Sequence, residues 1–229
     1  AILASNGPEY LVWLLAILRL GAVCCPMNTR LPSRTVVDLL RRIDCRMLVV
    51  QAHGQDDLGD MIREVSAFPS HNLQVIEGHN LTVPEEHLDE DCLGSVMSLA
   101  RPATIVFTSG STGAPKAVLH SYGNHYYNAL GSNQNLPLAA GDRWLLDLPL
   151  YHVGGLGILF RCLLSRATVV MPDRGQTLDA VLAHHEVSHL SVVVTQLHRL
   201  LQQSDSVSYP SLQYIILGGS PVPLKLLEH

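Results

Sequence analysis

The 229-residue chain is 47% apolar and carries a formal net charge of −5. That composition supplies enough apolar material for a substantial core in one large domain or two small ones, and the absence of a basic run excludes nucleic acid as a main partner. The early apolar run from Tyr10 to Leu18 is too short to span a membrane, and no basic segment of signal-peptide type precedes it. The five cysteines, Cys24, Cys25, Cys45, Cys92 and Cys162, are odd in number and match no zinc or redox spacing. Reduced, buried thiols in a cytoplasmic protein are expected. The chain opens Ala-Ile-Leu-Ala, without Met and in mid-pattern, so further residues are expected upstream.

In chain order, Pro8 to Leu20 predicts a helix: Pro8 suits a first turn, Leu11, Leu14, Leu15 and Leu18 keep helical spacing, and Gly21 ends it. Ala22 to Pro26 predicts a short buried strand. Ser33 is expected to cap a second helix reaching about Ile43, with Val36, Val37 and Leu40 on one face. Met47 to Val50 predicts another strand. Helices alternating with short apolar strands imply an α/β fold with mostly parallel sheets. From Gln51 to Leu99 the pattern weakens, with a helix expected near Leu58–Ala67 and a strand near Leu73–Ile76. Glu85, Glu86, Asp89, Glu90 and Asp91 read as a solvated acidic run. The composition shift near Leu99 predicts two α/β lobes, residues 1–99 and 100–229, the first incomplete at its N-terminus and the second at its C-terminus.

The second lobe opens on an apolar run, Thr104 to Phe107, followed by Thr108-Ser109-Gly110-Ser111-Thr112-Gly113-Ala114-Pro115-Lys116 and a second apolar run to His120. This spacing predicts strand, loop, strand. Gly110 and Gly113 let the backbone approach a ligand closely; Ser109, Ser111 and Thr112 add hydroxyls to successive N–H groups, and Lys116 adds charge. The combination suits a polyphosphate. It is not a Walker A loop, because Lys116 follows Gly113 by three positions and Ala117 stands where a hydroxyl would hold Mg²⁺.

A helix is expected from His120 to about Asn135 and a strand from Trp144 to Leu148. Then Pro149-Leu150-Tyr151-His152-Val153-Gly154-Gly155-Leu156-Gly157 opens a helix reaching about Leu164. Tyr151 and His152 sit before it, at the C-terminal edge of a parallel sheet, where α/β folds place ligands. Arg161 is a lone cation deep in that apolar helix. It is costly there unless paired, and it either binds a carboxylate bidentately or snorkels to the surface. Further units follow: strand Ala167–Met171, helix Leu178–His185, strand Leu190–Val194, helix Thr195–Gln203, and strand Tyr214–Leu217 ending in the turn Gly218-Gly219-Ser220-Pro221. Thr195, where strand meets helix, is either a plain N-cap or a donor to a pocket.

A rival motif is His185-Glu186-Val187-Ser188-His189, which has the His-Glu-x-x-His spacing of zinc peptidases. Its geometry needs an uninterrupted helix, and the β-rich run Leu190 to Val194 follows immediately.

Thr108 to Lys116 resembles the phosphate loop of the adenylate-forming superfamily of acyl-CoA synthetases, peptide-synthetase adenylation domains and luciferases; Ala117 departs from the family's glycine. Asn6 to Tyr10, Leu20 to Asn28 and Gly218 to Pro221 also resemble segments of that family. The resemblance implies the large N-terminal domain of an enzyme using ATP, Mg²⁺ and CoA. It implies that Thr108 to Gly113 and Lys116 hold the phosphates, with Thr108 touching Mg²⁺. Gly218, Gly219, Ser220 and Pro221 hold adenine, and His152 lines and gates the carboxylate pocket. Ser109–His120, Leu148–Arg161 and Val194–Leu201 are similar to the o-succinylbenzoate–CoA ligase branch, whose substrate is an aromatic dicarboxylate. On that basis Gly157, Arg161 and Thr195 join His152 in the acid pocket, and Lys116 and His152 carry catalysis. Other aryl- or acyl-CoA ligases, or a nucleotide- or acid-binding module, fit the same motifs. The family's Tyr-Gly-x-Thr-Glu segment and C-terminal lysine domain have no counterpart here, so this chain alone is expected to be inactive. A homo-oligomer is compatible with the sequence.

Overall fold

The computed structural model describes residues 1–51, 58–67, 73–78, 97–108, 115–173, 175–203 and 208–223. The chain divides into two compact units, Ala1–His125 and Tyr126–His229. The acidic run at 85–91, Cys92 and the loop residues Ser109, Gly110, Ser111, Thr112 and Gly113 lie outside the described residues.

In the first unit, β1 (Ile2–Ala4), β2 (Met47–Gln51) and β3 (Gln74–Glu77) form a parallel sheet in that order. β2 is central and buried along four of its five residues, as a strand flanked on both sides should be. Among the described residues, helices α1 (Pro8–Arg19), α2 (Ser33–Arg42) and α3 (Leu58–Ala67) accompany it. α2 buries Val36, Val37, Leu39 and Leu40 at the helical repeat and turns its arginines outward. These side chains meet Leu3, Cys25, Met27, Leu48, Val50 and Val65 in one core. Ser33 is not the cap expected of it. It is the first helical residue, Pro32 takes the cap position, and the Ser33 hydroxyl donates to Glu64 on α3.

Ala22 to Pro26 is extended but does not form a regular strand. The Cys24 N–H donates to Ala103 O (2.9 Å), and Ile105 N–H returns to Cys24 O (2.9 Å); two residues later the segment pairs with Ile2. Each pairing is a single bridge because the segment changes partner: Pro26 has no N–H to carry the first ladder on to Ile105 O. The segment thereby stitches β1 to the hairpin β4 (Pro102–Thr108) and β5 (Lys116–Ser121), an antiparallel pair whose last register partners are Thr108 and Lys116.

α4 (Tyr122–Asn135) follows the hairpin. In the second unit, β6 (Arg143–Leu145), β7 (Thr168–Val170), β8 (His189–Val193) and β9 (Tyr214–Gly218) form an all-parallel sheet in the order β7-β6-β8-β9. Helices α5 (Val153–Ser165), α6 (Leu178–His184) and α7 (Val194–Gln203) make the crossovers. Leu145, Val170, Leu190 and Val192 pack with Val181 and Leu182 of α6 and with Leu197 and Leu200 of α7. On the other face Trp144, His189 and Tyr214 form an aromatic column, with centroids 5.0 and 4.9 Å apart. Trp144 Nε1 donates to Ser191 Oγ (3.1 Å), so the buried indole is satisfied.

Among the described residues, three helices close on a non-glycine residue in the left-handed region: Asp44 (φ 48°) after α2, Arg166 (φ 58°) after α5 and Glu186 (φ 47°) after α6. After α2 the Asp44 and Cys45 N–H groups return to Arg41 O and Leu40 O, the paired closing bonds of a helix C-terminus.

Candidate active site

The candidate residues divide between the two units. In the first, β4 and β5 stay paired up to Thr108 and Lys116, which places the hydroxyl and the ammonium opposite each other where the expected phosphate loop begins and ends. Both side chains are exposed. Arg42, the last residue of α2, donates through Nη1 to Pro115 O (2.8 Å), immediately before Lys116. At the other end of the hairpin, Thr104 Oγ1 lies 2.8 Å from His125 Nε2, and the rings of His120 and His125 are 5.5 Å apart. Burial, reinforced by the neighbouring His120, pushes His125 down to about 4, so it is neutral near pH 7.

In the second unit, the remaining candidates gather at the C-terminal edge of the sheet. The chain leaves β6 through α5 to β7 on one side and returns through α6 to β8 on the other. The crevice between the ends of β6 and β8 is therefore the switch point at which open α/β sheets bind ligands. Tyr151 and His152 follow β6, with rings 4.6 Å apart edge to face; His152 is exposed and precedes the first turn of α5. Thr195 lies in the first turn of α7, one residue inside the helix rather than at its cap, and is exposed. Gly218, Gly219, Ser220 and Pro221 end β9, with Gly219 at φ 87°.

Arg161 occupies the third turn of α5. A helical side chain leans toward the N-terminus, over the residue four positions earlier. That residue is Gly157, where an added Cβ would lie 3.6 Å from Arg161 Cζ. The guanidinium carbon sits 5.3 Å from the Trp144 ring centroid, a cation–π contact. Its Nε is buried without a hydrogen-bond partner, and burial lowers its pKa. No acidic side chain pairs with it among the described residues. An orphaned guanidinium donor beside a side-chain-free position fits an anionic group. The residue as a whole is part-exposed, so the guanidinium lies against the indole without being sealed from solvent.

The zinc reading fails on geometry. α6 ends at His184, Glu186 turns left-handed, and His189 is already in β8. His189 Nε2 donates to Pro137 O (3.0 Å), and Nδ1 lies 2.8 Å from Ser188 Oγ. No cluster of three metal-ligating side chains occurs among the described residues, and among them no helix is long and apolar enough to cross a membrane.

Two polar residues of this edge escaped the sequence reading. Gln196, in the first turn of α7, accepts the Val193 N–H (3.0 Å) and donates to Asp147 Oδ2 (2.5 Å). The half of a capping box it makes would have been visible only had the helix start been placed at Val194.

Residues 1–229 match the family described as AMP-binding enzyme. The 2-succinylbenzoate–CoA ligase of Bacillus subtilis (strain 168) is 34% identical over 231 residues, covering 100% of this chain and 45% of that protein. The o-succinylbenzoate coenzyme A synthetase of Bacillus subtilis in complex with AMP superposes with a TM-score of 0.80 at 31% identity, over 99% of this chain and 45% of the other. The same enzyme in complex with ATP and magnesium ion gives 0.80 at 30%, over 99% and 46%. The chain thus spans less than half the length of these relatives.

Proposed function

The chain belongs to the AMP-binding enzyme family, and we propose that it serves an ATP-dependent acid–thiol ligase of the cytoplasm acting on an aromatic dicarboxylate of the o-succinylbenzoate kind. In the first half-reaction a substrate carboxylate oxygen attacks the α-phosphorus of ATP, forming the acyl-adenylate and releasing pyrophosphate. In the second, the CoA thiol attacks the acyl carbon, giving the thioester and AMP. Lys116 and the loop from Thr108 to Gly113 are assigned to the phosphates, where fixed positive charge and N–H groups stabilise the charge that builds in the transition state. Thr108 would hold Mg²⁺, whose contribution is to neutralise phosphate charge. Gly218 to Pro221 are assigned to the adenine. His152, at the mouth of α5, is assigned to the carboxylate being activated, and Gly157 and Thr195 to the walls of the acid pocket.

The observation that carries the dicarboxylate reading is Arg161: a half-buried guanidinium against Trp144, with an unpartnered Nε and no acidic partner among the described residues. It is suited to the carboxylate that is not activated. The names of the curated relatives and solved neighbours support the same substrate. In the full-length protein, acid-dependent pyrophosphate exchange with ATP should be seen with o-succinylbenzoate. Arg161→Ala should lower kcat/KM for that acid by roughly ten- to a thousand-fold, about 1.4 to 4 kcal/mol of transition-state binding. A benzoate analogue lacking the second acid should be scarcely affected. Equal losses for both acids would show that Arg161 supports packing only and would return the substrate to the wider class of aryl- and acyl-CoA ligases. Nucleotide binding without exchange for any acid would leave a binding module.

A further inference from the structure

We propose that Asp147 and Gln196 form a positioning strut that sets the width of the acid pocket at the β6/β8 switch point. The proposal takes the identity of the acid from the functional reading above, but the strut itself rests on geometry. Gln196 is the third residue of α7, and β8 runs into that helix without a loop. Its side-chain carbonyl accepts the N–H of Val193, the last residue of β8. Its amide NH2 donates across to Asp147, two residues beyond β6. One side chain therefore fixes both the start of α7 and the spacing between two neighbouring strand ends.

Each arm of the strut adjoins a wall of the pocket. Asp147 leads directly into Leu148 to His152, and Gln196 is bonded to Asp147 while adjacent in sequence to Thr195. Both strut residues are half-buried. Burial raises the Asp147 pKa, and the Gln196 hydrogen bond opposes that rise. A hydrogen bond between two half-buried groups is electrostatically stronger than one in water and holds its geometry. Loosening it lets the walls drift, and misplacement of about 1 Å costs on the order of a hundredfold at most.

The test is a double-mutant cycle in the full-length protein with Asp147→Ala, Gln196→Ala, the double variant and Asp147→Asn. Each alanine variant should lower kcat/KM for the acid by about five- to thirty-fold while KM for ATP stays within about twofold. The double variant should be no worse than the poorer single one, because the strut is already lost. Asp147→Asn should stay within about threefold of wild type, since its amide oxygen still accepts from Gln196. Losses that multiply in the double variant, or an Asp147→Asn protein as poor as Asp147→Ala, overturn the strut. Thermal melting of the same four proteins reads the coupling without any substrate: non-additive decreases support it, and additive decreases overturn it. A wild-type protein that activates no acid would sink the functional reading while the melting cycle still decides the strut.

Discussion

α5 begins with glycines that occupy different surroundings, and replacing each with alanine should give opposite results. A methyl at Gly155 would lie 2.3 Å from Pro149 O and 2.8 Å from Leu148 O, both backbone atoms that cannot swing aside. A methyl at Gly154 would meet Leu148 Cδ1 at 3.2 Å, the end of a side chain that can turn away. At Gly157 the nearest atoms are Arg161 Cζ and Nη2 at 3.6 Å, an ordinary contact. Alanine gains about 1 kcal/mol over glycine inside a helix, chiefly through the unfolded chain. Forcing a methyl into a packed site costs about 1–3 kcal/mol or more, and a clash with two carbonyls belongs at the upper end. Gly157→Ala should therefore stabilise by up to about 1 kcal/mol and Gly154→Ala should be near neutral. Gly155→Ala should destabilise by about 2 kcal/mol net. For a chain of this length about 1 kcal/mol moves Tm by roughly 2–4 °C, so calorimetry or far-ultraviolet dichroism would separate the three. Gly157→Ala should also weaken binding of the acid, because its methyl fills space beside the guanidinium. A Gly155→Ala protein melting at or above wild type would refute the packing assigned to the mouth of α5.

His125 gives a pH signature. Its native pKa of about 4 lies below the ordinary 6.5, so neutral His125 contributes stability that is present above pH 6.5 and is lost as the pH falls toward 4. The gap amounts to about 3 kcal/mol at most; His125→Gln should flatten the loss of Tm between pH 7 and 4.5, and an unchanged slope would exonerate this histidine. In the full-length protein, Lys116→Ala should lower kcat far more than it raises KM for the acid, because phosphate charge changes most on the way to the transition state. A pure rise in KM for the acid would place Lys116 elsewhere.

Much of the fold was legible from local pattern. The α/β alternation follows from apolar runs of strand length between helices of amphipathic spacing, and the β4–β5 hairpin from two β-rich runs around Gly and Pro. What stayed hidden depends on partners distant in sequence. β1 has only three residues, too few for any periodicity. The Trp144–His189–Tyr214 column exists because parallel strands bring residues 45 and 25 positions apart into register. The orphaned state of Arg161 is equally non-local: sequence shows a lone cation on an apolar helix, whereas the indole beneath it comes from β6. The failure of His185 and His189 to share a helical face was legible, since the β-branched run after His189 competes with the helix. The left-handed Glu186 that enforces the break was not.

That left-handed residue belongs to a set. Asp44, Arg166 and Glu186 each stand in a short connection from a helix to the next parallel strand, α2 to β2, α5 to β7 and α6 to β8. None is a glycine, and each pays about 1–2 kcal/mol for its conformation. Each helix stops where the chain turns to enter the strand that follows. Helix end and strand start are thus set within one short connection. A peptide ending at any of these residues would lack the docked strand that holds the turn, so its terminal turn should fray. At these three connections the helix boundary depends on the strand that follows it.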